Sequence, residues 1–261
     1  MKGLFQPDSV VQSLLDTDLY KYLMQQAIFD LYHGVEVKVA FHCFDKHDLG
    51  KELHQIREEI EKLEDLRFEE SDIWYLSHLG REYDSQTPFF KPNFLNYLKH
   101  YRLSPRKCSL SVNSKKQLII DVKGAWIDVL HFQIFVLTII QSIYHQRYYP
   151  KLNHDLALQH MDEKVKAFLQ LADKKKINLE KLKICDLGTR NRFNYPTQWR
   201  VLDYLRQALP HHAFIGTSNV HIAREMNLPC IGSQGHEWFM AHQQLSVLHQ
   251  FQSQALSHWV K

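Results

Sequence analysis

Four short stretches combine residue types able to act on an anionic small molecule. The richest, residues 232–239 (GSQGHEWF), brackets Ser233 and Gln234 with glycines and places His236 in the first turn of a helix. An imidazole there is a nucleophile at the positive end of a helix dipole, in a field that welcomes a dianionic phosphohistidine. A core or capping histidine is the plain alternative. A zincin site is excluded, because H-E-x-x-H needs a histidine where Met240 stands. Residues 216–219 (GTSN) offer hydroxyls and backbone N–H groups at another helix start. Such a start receives anions, or is simply capped by Thr217 or Ser218. Residues 186–193 (DLGTRNRF) leave a strand, turn at Gly188 and present Arg190 and Arg192. Guanidinium groups suit a bidentate grip on carboxylate or phosphate, although both could be exposed loop arginines. Residues 14–21 (LLDTDLYK) gather two carboxylates, Tyr20 and Lys21 at a helix start, where an N-cap and a packed tyrosine are the alternative.

The elements that must position these groups are legible in outline. A helix is expected over 13–32, capped by Asp16 or Thr17, and a half-buried strand over 35–44 (VEVKVAFHCF). Residues 49–66, 71–79 and 92–99 read as helices, the last with proline near its first turn. Residues 108–113 and 117–123 flank Ser114-Lys115-Lys116 as a hairpin or meander. Long helices follow over 128–148 and 152–173. The pattern then changes to short apolar strands at 182–186, 212–215 and 229–232, alternating with helices at 196–208, 218–226 and from 237 onward. That βαβαβα rhythm implies parallel strands with right-handed crossovers. The fold class expected is α/β. An N-terminal α+β domain over 1–125 leads into the first part of a (β/α) barrel-like domain over 126–261. Three of the four chemical stretches then fall at carboxyl ends of successive parallel strands, where side chains converge.

Composition narrows the class of protein. The 261 residues suffice for one large or two modest domains, and a net charge of +3 does not by itself point to nucleic acid. The run Lys174-Lys175-Lys176 reads as a solvated helix end. The four cysteines, Cys43, Cys108, Cys185 and Cys230, form no C-x-x-C pair, and Cys185 and Cys230 sit in apolar runs as small buried thiols. A reducing cytoplasm is expected. The N-terminus has no apolar run of signal-peptide length. Residues 127–143 are interrupted by Asp128, His131 and Gln133, which suits a buried helix better than a bilayer span.

The blocks LLDTDLYKYLMQQAIF, CDLGTRNRF, FIGTSNVHIAREMNL and GSQGHEWFMAHQQ resemble, in order from about residue 10 to about residue 250, those of bacterial nicotinate phosphoribosyltransferases. Four collinear motifs over that span are highly specific. The resemblance implies an enzyme that joins nicotinic acid to phosphoribosyl pyrophosphate, giving nicotinate mononucleotide and pyrophosphate. It implies coupling to ATP hydrolysis through a phosphorylated histidine, with Mg²⁺ as cofactor, and a homodimer with the site at the subunit interface. Carried over by position, Tyr20 matches the tyrosine that stacks on the pyridine ring, and Arg190 the first arginine of the G-T-R block. Gly232 and Ser233 match the Gly-Thr pair beside nicotinate, and His236 the histidine that takes the phosphoryl group. Asn191 stands where the family usually has a second arginine, and Ser233 replaces a usual threonine. Gly235 replaces a usual alanine, which is expected to loosen the turn before His236. Three barrel-type strands are present, whereas a closed parallel barrel needs eight. The resemblance therefore places the Mg²⁺ site, a later Gly-rich phosphate loop and the remaining strands mostly outside this chain. A shortened, inactive paralogue that keeps a nicotinate-binding or dimerisation role is the alternative.

Overall fold

The computed structural model describes residues 9–42, 48–81 and 88–259. The first half builds a helical layer on a small antiparallel sheet. After α1 (Leu19–Leu31) come β1 (Glu36–His42), α2 (Leu53–Glu61), α3 (Glu70–Leu76) and α4 (Pro92–His100). The hairpin strands β2 (Cys108–Val112) and β3 (Leu118–Ala125) then complete a sheet of order β1-β3-β2, antiparallel throughout. On β3, Leu118, Ile120 and Val122 face inward and alternate with less buried residues, the period-two pattern of a sheet with one buried face. The expected strand over 35–44 thus holds through residue 42; its last two residues, including Cys43, lie outside the described residues.

Residues 128–148, expected as one helix, form two: α5 (Trp126–Val129) and α6 (Phe132–Tyr148). By length and composition the 126–148 segment could cross a membrane, yet most of it is buried inside the molecule. Phe132, Phe135, Val136, Ile139 and Ile143 pack into the same core as Leu14, Leu19, Tyr22, Phe94 and Ile120. This is how a core helix looks.

The second half runs α7 (His154–Lys174), β4 (Ile184–Asp186), α8 (Tyr195–Ala208), β5 (Phe214–Thr217), α9 (Val220–Met226), α10 (His236–Leu245) and α11 (Phe251–Trp259). Its own core joins Val165, Leu202, Phe214, Ile222 and Met226. Strands β4 and β5 are parallel, as the alternating pattern requires. The third expected strand, 229–232, is reduced to one bridge between Thr217 and Cys230. Gly216 explains how that segment comes so close. Its φ is +131°, and a Cβ there would sit 2.1 Å from the Pro229 carbonyl oxygen. Only glycine lets β5 accept this neighbour. Cys230 is buried, whereas Cys185 is only half-buried, so of the two expected core thiols one is confirmed. Lys174, Lys175 and Lys176 are exposed at the end of α7 as expected.

Residues 13–18 are not helical, and α1 begins only at Leu19. Neither Asp16 nor Thr17 caps it; the N-cap position is Asp18, whose side chain makes no capping bond. This segment is instead paired to the start of α9. Leu19 donates to the Ser218 carbonyl (2.8 Å), Val220 to that of Thr17 (2.9 Å) and His221 to that of Leu15 (2.9 Å). Backbone pairing across some two hundred residues of sequence seats α1 over the carboxyl ends of β4 and β5.

Candidate active site

At the end of β4, Asp186 organises the turn. Its carboxylate accepts from the Gly188 N–H (3.1 Å), the Gln198 amide (2.8 Å) and the Thr217 hydroxyl (2.7 Å). The GTSN turn is therefore satisfied internally. Thr217, Ser218 and Asn219 are buried, Ser218 donates to Asp18 (2.7 Å), and Asn219 rather than Thr217 or Ser218 caps α9 by accepting from Ile222 N–H. The backbone N–H groups of Val220 and His221 are taken by Thr17 and Leu15. The sequence-based expectation of an open anion site at this turn does not hold.

Arg192 is neither a substrate grip nor an exposed loop residue. It is buried and bidentate with Asp16, at 2.7 Å to Oδ1 and 2.6 Å to Oδ2, and its Nη2 also donates to the Val10 carbonyl. Asn219 and the Gln12 N–H complete the shell of Asp16. Burial alone would raise the Asp16 pKa, but the Arg192 charge and hydrogen bonds outweigh it and hold the carboxyl below its ordinary range. This pair fastens the β4 turn to the segment preceding α1.

Arg190 behaves differently. It is half-buried in the turn after β4 and makes no ion pair or hydrogen bond with a described residue. Its charge acts on Asp18, Tyr20 and Lys21. Tyr20 is buried, and burial followed by the Asp18 charge pushes its hydroxyl well above the ordinary value, with Arg190 opposing. Burial likewise raises the Asp18 carboxyl, against hydrogen bonds from Ser218 and Thr189 and the charge of Arg190. The Tyr20 ring lies against Gly235: a Cβ on that glycine would stand 2.7 Å from Tyr20 Cε2. Gly235 thus does not simply loosen the turn, because its missing side chain makes room for the tyrosine.

His236 is the first residue of α10, and its side chain is exposed. Its neighbour Glu237 is tied down on both oxygens, by Lys21 Nζ at 2.5 Å and Trp126 Nε1 at 2.6 Å. Lys21 is fully buried and also reaches Gln133 at 2.7 Å. Gly232 and Ser233 are exposed and border a groove of ≈ 510 Å³, walled by Leu19, Leu23, Cys230 and Trp259. Tyr20, Arg190 and His236 do not line it, so groove and charged cluster are neighbours around the start of α1. Among the described residues no group of three or more His, Cys, Asp or Glu could hold a metal ion.

Sequence reasoning noted the carboxylates and lysine of LLDTDLYK without giving Asp18 or Lys21 a role, and passed over Glu237 and Trp126. The only local signal is that Lys21 follows Tyr20 and Glu237 follows His236. Their contact spans over two hundred positions, and no spacing rule reports it.

The fold and site define an α/β protein that sets an aromatic ring at one helix start, a cation without an ion-pair partner among the described residues in the turn after a strand, and a histidine at a second helix start. Residues 15–141 match the model of the nicotinate phosphoribosyltransferase N-terminal domain, and residues 182–261 that of the nicotinate phosphoribosyltransferase family. The chain belongs to the nicotinate phosphoribosyltransferase family. It is 36% identical over 253 residues to a nicotinate phosphoribosyltransferase of Photorhabdus laumondii, covering 97% of this chain and 60% of that protein. One from Buchnera aphidicola is also 36% identical, over 252 residues, with 96% and 60% covered. The crystal structure of nicotinate phosphoribosyltransferase from Vibrio cholerae superposes with a TM-score of 0.88 at 34% identity, covering 98% of this chain and 58% of that one. The chain thus spans about 60% of the length of these curated relatives.

Proposed function

We propose that this chain binds nicotinic acid and takes part in its transfer to phosphoribosyl pyrophosphate, forming nicotinate mononucleotide and pyrophosphate in NAD biosynthesis. The observation that carries the reading is the grouping around the start of α1 of Tyr20, Arg190, which has no ion-pair partner among the described residues, and the 232–236 turn. A flat aromatic acid needs an aromatic neighbour for its ring and a cation for its carboxylate. Tyr20 and Arg190 offer both, and Ser233 offers a hydroxyl beside the groove.

In the reaction the pyridine nitrogen forms a bond to the ribose anomeric carbon as the bond to pyrophosphate breaks. The leaving pyrophosphate carries the electron pair, and the ribosyl centre passes through an oxocarbenium-like state. The contribution assigned to this chain is orientation: ring held, carboxylate anchored, nitrogen aimed. Exposed His236, at the positive end of α10, is proposed to accept the phosphoryl group from ATP. Mg²⁺ belongs to the family's chemistry; the described residues offer no cluster for it, and no step is derived through it. We further propose a cytoplasmic homodimer. Association is supported by the strip from α10 to α11, where Met240, Val247, Leu248 and Leu256 are exposed. No Asp, Glu, Lys or Arg occurs between Trp238 and Val260, and depletion of charge marks interface cores.

The test is an assay of the purified chain with nicotinic acid, phosphoribosyl pyrophosphate, Mg²⁺ and ATP, beside a direct titration with nicotinic acid. Binding of nicotinic acid is expected, and its absence refutes the reading. His236→Ala should abolish ATP coupling while leaving slow uncoupled transfer. Coupling that survives the change removes His236 from its role.

A further inference from the structure

Arg190 sits in a single 3₁₀ turn, Thr189–Asn191, closed by the Asn191 N–H on the Gly188 carbonyl at 3.0 Å. The residue before it, Thr189, has no exposed surface and is gripped from several elements at once. Its carbonyl accepts from the Thr138 hydroxyl of α6 at 3.2 Å. Its hydroxyl accepts from the Asn219 amide, also at 3.2 Å, and donates to the Asp18 carboxylate. Asp18 and Asn219 are paired in turn by an antiparallel backbone bridge. Thr138 is buried between apolar neighbours in α6. A buried hydroxyl is costly unless bonded, and in a helix it commonly turns back to its own fourth-preceding carbonyl. Here it reaches across to the Arg190 turn instead.

Tyr20 stands two residues beyond Asp18, and Arg190 one residue beyond Thr189. The Thr189 hydroxyl therefore joins the segment that holds the ring to the turn that holds the cation. Packing alone does not call for it, because valine has the same shape without the hydroxyl. We propose that Thr189 is a positioning residue: its hydroxyl and carbonyl together fix Arg190 at the separation from Tyr20 that a rigid aromatic carboxylate spans. An aromatic acid cannot adjust the distance between its ring and its carboxylate. A turn free to shift would lose one contact in making the other, or would have to be ordered at the moment of binding. This rests on the nicotinate reading above and extends it from the groups that touch the acid to the one that spaces them.

The experiment titrates the whole chain with nicotinic acid, read by ligand-observed nuclear magnetic resonance, in the native protein, Thr189→Val, Thr189→Ser, Arg190→Ala and the Thr189→Val, Arg190→Ala double variant. Thr189→Val should weaken binding about tenfold, the scale of the hydrogen bonds its hydroxyl makes. Thr189→Ser keeps the hydroxyl and should stay close to the native affinity. In the Arg190→Ala background Thr189→Val should cost nothing further, because the group it positions is gone. A threonine that only supports the core would weaken both backgrounds alike. Native-like binding by Thr189→Val, a serine variant as weak as the valine one, or full additivity with Arg190→Ala overturns the proposal. If Thr189→Val fails to fold, Thr138→Val decides. It leaves the Thr189 hydroxyl in place, removes the donor to its carbonyl and should weaken binding severalfold, but only while Arg190 is present; unchanged binding, or an equal loss without Arg190, overturns the proposal. A native chain that binds no nicotinic acid overturns the nicotinate reading and this proposal together, whereas binding indifferent to these changes overturns the proposal alone.

Discussion

Replacing Asp16 by asparagine isolates the pair that fastens the N-terminal segment to the β4 turn. Both partners are almost fully buried, with side-chain exposures of 0% for Asp16 and 2% for Arg192, and the contact is bidentate at 2.6–2.7 Å. The substituted amide would keep one acceptor oxygen but strand the guanidinium, whose Nε already has no hydrogen-bond partner among the described residues. Removing one member of a buried pair costs about 3–5 kcal/mol, since the remaining charge stays desolvated. At about 2–4 °C per kcal/mol for chains of roughly this size, Tm should fall by roughly 6–20 °C. Differential scanning calorimetry measures it. Acid titration supplies a second readout with a definite sign. The folded Asp16 carboxyl lies below its ordinary value of 3.8, so its stabilisation is complete above that value and is lost as pH falls through the lower folded one. The native chain should lose stability in that acid window, and Asp16→Asn should lose less there. A Tm drop equivalent to under about 1 kcal/mol, the scale of an exposed pair, would refute the argument. Asp16→Leu with Arg192→Met should recover much of the single-variant loss, because an apolar pair leaves no stranded charge.

Three further outcomes follow from single contacts. Gly216→Ala puts a Cβ 2.1 Å from the Pro229 carbonyl at a φ of +131°, so the chain should lose its folded circular-dichroism spectrum. Gly235→Ala meets the movable Tyr20 ring at 2.7 Å, so it should cost only about 1–3 kcal/mol while changing the near-ultraviolet tyrosine signal. Asp18→Asn removes a carboxylate whose folded pKa burial raises, while keeping an acceptor for Ser218; its Tm should exceed that of the native chain at pH 7, with the gap closing as pH falls. A lower Tm at pH 7 would refute that account.

How much of the site could be read beforehand varied with the range of the interactions involved. Tyr20, Arg190 and His236 stand out in the sequence as candidates because each sits at a local landmark, a helix start or a strand end. The different fates of Arg190 and Arg192 were not. Two residues apart in one loop, they look equivalent until Asp16, far away in sequence, claims one of them. Lys21 and Glu237 were unreadable as a pair for the same reason.

The alternation of helix and strand, the antiparallel hairpin, the parallel pair at β4 and β5 and the family were all written in the order of residues, because propensity, hydrophobic period and motif order are properties of near neighbours. Where α1 begins was a matter for long-range packing, since the backbone of residues 15–19 pairs with residues 218–221 instead of continuing the helix. The same packing closed the GTSN turn against anions and reduced the 229–232 strand to one bridge beside Gly216. Above all it chose which charges to neutralise. Burial makes an unpaired charge expensive, so the pairing of Asp16 with Arg192 and of Lys21 with Glu237 was settled by which groups folding brought together, while half-buried Arg190 has no ion-pair partner among the described residues.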